Sequence, residues 1–217
     1  MKKSIFLTVG SICLLIVGGL LFTGCPEAGI KTQAVAQPQK EPVKIDFTTY
    51  APVIQSGKGA GSGAAIIGTP TETSYTFKQN YTNSIVVFSV PVSKFTQSHT
   101  YKGEPLVYTF KDFTTVSFDI TPSGTGADYK KVGVFATSSA AAYLSLADDA
   151  AYYALAINSN ATADAAGPEL KLDAKMSVSF PLNATKTAAF TSGNIVFCIF
   201  SPASATAEYT IENVVFK

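Results

Sequence analysis

The feature that most constrains this chain is a hydrophobic period of two residues that recurs along most of its length. Val116, Phe118 and Ile120 alternate with Ser117 and Asp119, and Met176, Val178, Phe180 and Leu182 alternate with Ser177, Ser179 and Pro181. Successive side chains of a strand point to opposite faces, so each such run places one face on a core and the other in water. The pattern calls for antiparallel sheets with a wet side. By the same reading, strands are predicted at Lys44 to Tyr50, Tyr75 to Gln79, Ser84 to Val90, Pro105 to Phe110, Thr114 to Thr121 and Lys130 to Thr137. More follow at Tyr152 to Asn158, Glu169 to Ala174, Met176 to Leu182, Asn194 to Phe200 and Ala207 to Phe216. Ile85 to Phe88 and Ile195 to Phe200 are apolar on both faces, which suits central strands.

Turn chemistry separates these runs, as at Pro122 to Gly126 and at Ser159 and Asn160. About eleven short strands joined this way predict an all-β, two-sheet antiparallel β-sandwich, most simply a jelly roll. The last strand changes phase: Tyr209 and Ile211 share one parity, Val214 and Phe216 the other. A β-bulge near Glu212 and Asn213 is needed to keep all four inside. The alanine-rich stretch from Ser138 to Ala151 is expected to form a short helix or an insertion. No fixed repeat period appears, which argues against a solenoid or propeller.

Residues 51 to 74 carry Gly57, Gly59, Gly61, Gly63 and Gly68. A phosphate loop would need Gly, four residues, then Gly-Lys-Ser/Thr; here Lys58 is followed by Gly59 and position 52 is proline, and no GxGxxG can be drawn. The stretch reads as a glycine-rich flexible loop.

The amino-terminal residues Met1, Lys2 and Lys3 precede an uncharged apolar run from Ile5 to Phe22, followed by Thr23, Gly24 and Cys25. Cationic start, apolar run and small residues are the parts of an export signal. With the cysteine, the order resembles the lipobox of bacterial lipoproteins. Phe22 stands where the commonest pattern has Leu, as in the relaxed lipoboxes of spirochaetes. The resemblance implies a signal peptide over 1–24, cleavage before Cys25, a diacylglyceryl group on its thiol and acylation (palmitate or a similar chain) of the new terminus. Two or more acyl chains hold a protein stably at a membrane where one does not.

From Pro26 to Val43 the composition is polar, with prolines at 26, 38 and 42, so residues 25–43 read as a lipidated flexible tether and 44–217 as the sandwich domain. Of the three cysteines, Cys13 leaves with the signal and Cys25 takes lipid, so only Cys198 is left. It lies in the apolar run from Ile195 to Phe200, where a buried, inert thiol is expected. No intramolecular disulfide can then form, and the core alone must hold the fold. The chain has 16 basic and 15 acidic residues, and every basic one is Lys. Without a basic cluster, neither nucleic acid nor anionic lipid headgroups are expected partners.

The closing run from Tyr209 to Phe216 looks like the last strand of galactose-binding-like jelly rolls and many carbohydrate-binding modules, which often end on an Asp/Asn-Val/Ile pair, here Asn213 and Val214. That resemblance implies a non-catalytic sandwich of the sugar-binding kind. Such domains often carry a structural calcium between first and last strands, and Asp46 and Glu212 are the carboxylates that could meet there. No other cofactor is expected.

Catalytic groups are sparse. His99 sits between Ser98 and Thr100 and reads as a solvated loop residue; with one His and one remaining Cys, a His/Cys metal cluster is excluded. Asp128, Asp148, Asp149, Asp164 and Glu169 fall in expected loops and read as solvated acids unless two converge across a cleft. Sugar-binding surfaces stack flat rings on pyranose faces; this chain has no Trp, so tyrosines must serve. Tyr129, Tyr143 and Tyr152 are the candidates: Tyr129 follows Gly126 in a loop, Tyr143 lies in the alanine-rich stretch, and Tyr152 points away from the core if Tyr153, Leu155 and Ile157 point into it.

The expectation is a membrane-anchored bacterial envelope lipoprotein, at the outer membrane or cell surface, presenting a binding module rather than an enzyme. Its partners would be the membrane, through lipid, and a glycan. The alternative is a structural or protein-interaction lipoprotein with an envelope partner, and a glycan-active enzyme comes third.

Overall fold

The computed structural model describes residues 35–56, 64–78, 84–124, 132–140, 154–158, 170–200 and 207–217. Its strands are β1 (Val43–Lys44), β2 (Val53–Ser56), β3 (Ala65–Ile67), β4 (Ser74–Lys78), β5 (Ser84–Pro91), β6 (Gln97–Tyr101), β7 (Glu104–Tyr108), β8 (Thr115–Gly124), β9 (Gly133–Thr137), β10 (Met176–Pro181), β11 (Asn194–Phe200) and β12 (Ala207–Phe216). One short helix, α1 (Ala184–Thr187), lies between β10 and β11, its amino-terminal N–H groups capped by the Asn183 side chain.

A six-stranded sheet runs in the order β10-β8-β12-β4-β3, with β1 also on β12, and a four-stranded sheet runs β2-β5-β11-β9. Every strand pairing in them is antiparallel. The pairs nest along the chain: β4 with β12, β5 with β11 and β8 with β10. Innermost, β9 bridges Ala156 through Phe135, so the stretch 154–158 flanks β9. Nested pairs shared between two facing sheets are the winding of a jelly roll, and the expected sandwich is the one observed.

The core lies between the sheets and is dense in phenylalanine. Phe197 on β11 has ring centroids at 5.4 Å from Phe88 and 5.3 Å from Phe216. The Phe88 contact joins neighbours in one sheet, and the Phe216 contact crosses to the other. Phe47, Phe95, Phe110, Phe113 and Phe180 are buried as well. As their apolar faces require, β5 and β11 are central. Their outer side chains Ile85, Val87, Val196 and Cys198 form a second buried cluster with Phe135 and Ala156. The strap over that cluster is clamped by Lys186, whose Nζ donates to the carbonyls of Ala154 at 3.0 Å and Ala156 at 2.6 Å.

The bulge in β12 is where the change of phase requires it. Glu212 pairs with Asp119 and Val215 with Ser117, so Asn213 and Val214 together oppose Phe118. Asn213 takes the left-handed conformation, at φ 56°, and Tyr209, Ile211, Val214 and Phe216 are all buried.

Several local expectations are corrected. Lys44 to Tyr50 is not one strand: β1 ends at Lys44, and the Asp46 carboxylate collects the N–H and hydroxyl groups of Thr48 and Thr49 into a turn. Ile45 and Phe47 are buried all the same, so the periodicity marked the core while side-chain turn chemistry decided the backbone. Glu169 to Ala174 is no strand in its described part; Asp173 sits at φ 55° and donates its N–H to Pro122. The predicted strand Tyr152 to Asn158 supplies only isolated bridges in its described part, 154–158. Residues 51–74, read as a loop, hold β2 and β3 as edge strands. Edges need only one neighbour, so short runs such as Ala65–Ile67 suffice there.

The expected tether gives up its last residues to the domain. Tyr108 donates its hydroxyl to Pro38 at 2.7 Å, and Gln97 exchanges hydrogen bonds with the Glu41 backbone at 2.8 and 2.7 Å. Lys40 donates to the Asp112 carbonyl at 2.5 Å and lies 4.7 Å from the centre of the Phe113 ring. The compact unit therefore runs from Gln37 to Lys217. Composition could not reveal this, because polar residues stitched to a surface look like polar residues in solvent.

Candidate ligand face

With Val116, Phe118 and Ile120 turned inward, β8 turns Ser117, Asp119 and Thr121 outward, and its neighbours do the same with Ser177, Ser179 and Thr210. Register aligns them in rows: Ser177 opposes Asp119, Ser179 opposes Ser117, and Thr210 lies between Thr121 and Thr76. The hydroxyls of Thr76 and Thr210 are 2.9 Å apart. The outer face of the six-stranded sheet thus carries hydroxyls about 4.8 Å apart within a row and about 6.8 Å from one row to the next, interspersed with Lys78, Glu208 and Glu212 and bordered by the exposed Ile67.

At its centre the Asp119 carboxylate accepts from Ser177 Oγ at 2.5 Å and from Asn213 Nδ2 at 3.0 Å. The Ser177 bond, then Asn213 and the Lys175 charge, hold Asp119 below the ordinary carboxylate range against a smaller opposing effect of burial. Lys175 itself pairs with Glu212 at 2.7 Å. The bulge makes this arrangement, because the left-handed Asn213 swings its amide toward β8. Hydroxyls donate and accept in any direction, so such a face can hydrogen-bond a polyhydroxylated ligand. Among the described residues it carries no aromatic ring for stacking.

Tyr129, Tyr143 and Tyr152 lie outside the described residues, as do Cys25 and the acids Asp128, Asp148, Asp149, Asp164 and Glu169. Asp46 and Glu212, the candidate calcium carboxylates, have separate partners. Asp46 is engaged by Thr48 and Thr49, which hold its pKa down to about 2, and Glu212 by Lys175. Among the described residues no group of three or more His, Cys, Asp or Glu side chains converges as a metal site would require.

His99 is in β6 rather than in a loop, its ring 5.7 Å from that of Tyr108. Its strand is almost wholly polar, so hydrophobic period could not signal it. Cys198 is buried, as its apolar surroundings imply. Of the tyrosines, Tyr75 and Tyr209 are spent in the core. Tyr101 and Tyr108, passed over in the sequence, share one face of the two-stranded β6–β7 hairpin, a placement only its register reveals.

No protein-family model matches this chain, and no curated protein matches it. Among solved structures, the K3 cleaved adhesin domain of Lys-gingipain from Porphyromonas gingivalis W83 is similar at 14% identity, over 80% of this chain and 97% of that one, with a TM-score of 0.33. The K1 cleaved adhesin domain of the same protein is similar at 13% identity, over 77% and 98%, with a TM-score of 0.26.

Proposed function

We propose that this chain is a bacterial envelope lipoprotein, acylated at Cys25, whose sandwich is a non-catalytic binding module for a carbohydrate. The observation that carries the binding role is the outer face of the six-stranded sheet, where hydroxyls from β4, β8, β10 and β12 stand in register around a charge-fixed Asp119. A flat polar face suits an extended, hydroxyl-rich polymer better than a small apolar ligand. The anchoring role is supported by the apolar run from Ile5 to Phe22 and the Thr23, Gly24 and Cys25 that follow it.

A glycan array on a soluble form from Pro26 to Lys217 tests the binding role. Starting at Glu41 would remove Pro38 and Lys40, both bonded to the domain. Binding that weakens in Thr210→Ala and Ser179→Ala supports the sheet face; binding that weakens only in Tyr129→Ala, Tyr143→Ala or Tyr152→Ala moves the site to the tyrosines. Anchoring is tested separately: a Cys25→Ala protein should lose its partition into detergent.

The edges of the sandwich favour a second reading. Val53 and Ile54 on β2 and Ile67 on β3 are exposed on neighbouring edge strands, and among the described residues neither strand carries a charge. Natural edges are usually blunted by charge or proline, and an unblunted one is a place for another strand to add. A blank array, with self-association or capture of an envelope protein abolished by Ile54→Lys, would establish the protein-interaction role instead.

A further inference from the structure

The outward side chains of the six-stranded sheet fall into cross-strand rows with different contents. One row is Thr121, Thr210 and Thr76, and it ends at the exposed Ile67. On one side of it lie Ser177, Asp119, Glu212 and Ser74, and on the other Ser123, Glu208 and Lys78. We infer that this face takes an uncharged, hydroxyl-rich polysaccharide, laid across the strands along the threonine row, with Asp119 as a fixed acceptor beside it. The inference rests on the carbohydrate reading proposed above and names the class and the path of the ligand.

Two observations carry it. The first is charge. Among the described side chains that these strands turn outward, together with Lys175 just ahead of β10, the cations are Lys44, Lys78 and Lys175 and the anions are Asp119, Glu208 and Glu212. The face is therefore electrically neutral, and its charges are matched in place. Lys175 pairs with Glu212 at 2.7 Å, and Lys78 stands opposite Glu208 in the register of β4 and β12. A polyanion on the threonine row would have carboxylates on both sides, one row or about 6.8 Å away, and could reach a lysine only by breaking those pairs. A polycation would find Glu208 and Glu212 already matched. A neutral hydroxyl avoids both costs, and its bond to a carboxylate is charge-assisted and strong.

The second observation is the layout of donors and acceptors. Thr76 and Thr210 share one bond, Oγ to Oγ at 2.9 Å, which leaves the pair a hydroxyl proton and several lone pairs to offer. Asp119 accepts from Ser177 and Asn213, which fix its direction, and a carboxylate has about four acceptor sites, so it has capacity left. Strands succeed one another along the row every 4.8 Å or so, close to the advance of one sugar in an extended hexose chain. Along β12 the outward positions are wider apart and the bulge after Glu212 interrupts them, so the regular run of hydroxyls lies across the strands. Ile67 at the end of the row offers an apolar contact to the face of a sugar ring.

The test compares polymers that differ in charge alone. Full-length protein in a polyoxyethylene detergent is titrated with hydroxyethylcellulose, dextran and galactomannan, and with the carboxymethylated form of each. At least one uncharged polymer should bind, its carboxymethylated form should bind roughly tenfold more weakly, and added salt should leave the uncharged affinity unchanged. Thr210→Val keeps the β-branched shape and loses the hydroxyl; Asp119→Asn keeps the shape and loses the charge. Each should weaken that affinity roughly tenfold with the thermal midpoint held. A carboxymethylated polymer bound as tightly as its parent, or more tightly, overturns the neutral class and leaves the carbohydrate reading standing. Binding that survives both substitutions unchanged overturns the path along the threonines, again without touching that reading. No binding to any of the polymers overturns both.

Discussion

Asp46 shows how one side chain overrides a strand signal. Alternation from Lys44 onward predicts extended backbone, yet the carboxylate captures the amides of Thr48 and Thr49, and Tyr50 bonds back to the Asp46 carbonyl at 2.8 Å. The bonds from Thr48 and Thr49 bring its pKa from 3.8 down to about 2. A carboxyl whose folded pKa is depressed stabilises the fold above its ordinary value and loses that contribution as pH falls through the folded one. Urea midpoints should therefore decline between about pH 4 and pH 2, and the decline should be shallower in Asp46→Ala. Equal slopes in the two proteins would show that the turn does not hold the carboxylate charged. The Asp-x-Thr chemistry was legible in the residues; its victory over the period was not, because both signals are local and point to different backbones.

At the scale of elements, the bulge of β12 is the clearest case of a sequence specifying its own irregularity. Tyr209 and Ile211 can share the core with Val214 and Phe216 only if one extra residue is inserted between them, and Asn is among the residues that tolerate the left-handed backbone this needs. Asn213→Ala keeps the strained backbone and loses the bond to Asp119, which should cost about 1–2 kcal/mol in urea unfolding. Asn213→Gly relieves the strain and should cost less. Deletion of Asn213 is a different matter: it removes the bulge and leaves Tyr209, Ile211, Val214 and Phe216 in one unbroken alternation on the core face, so the circular dichroism of the folded sheet should be retained. The short helix α1 is a contrasting case. Its Asn183 cap is visible in sequence, but its Lys186 acts on carbonyls some 30 residues away, and nothing local announces that.

Across the whole molecule, stability rests on aromatic contact between the sheets, since the one described cysteine is a buried thiol. Phe197 touches both layers, so Phe197→Ala should cost about 3–5 kcal/mol, a large share of the roughly 5–15 kcal/mol available to a domain. Thermal unfolding of that variant would check it, and a loss under about 1 kcal/mol would mean the core can collapse around the gap. The sequence by itself determined which strands exist where apolar residues alternate, which two are central, where β12 must bulge and which side chains form the core. These are properties of consecutive residues, and a period of two or a break in it is written locally. Only the tertiary structure decided the nested pairing, the polar strand β6, the stitching of Gln37 to Glu41 onto the hairpin, and the rows of hydroxyls on the six-stranded sheet. Each of these depends on residues far apart in the chain, such as Thr76 and Thr210 at a separation of 134. Pairing over that distance is selected by the global packing of two sheets and leaves no mark on the neighbours of either residue.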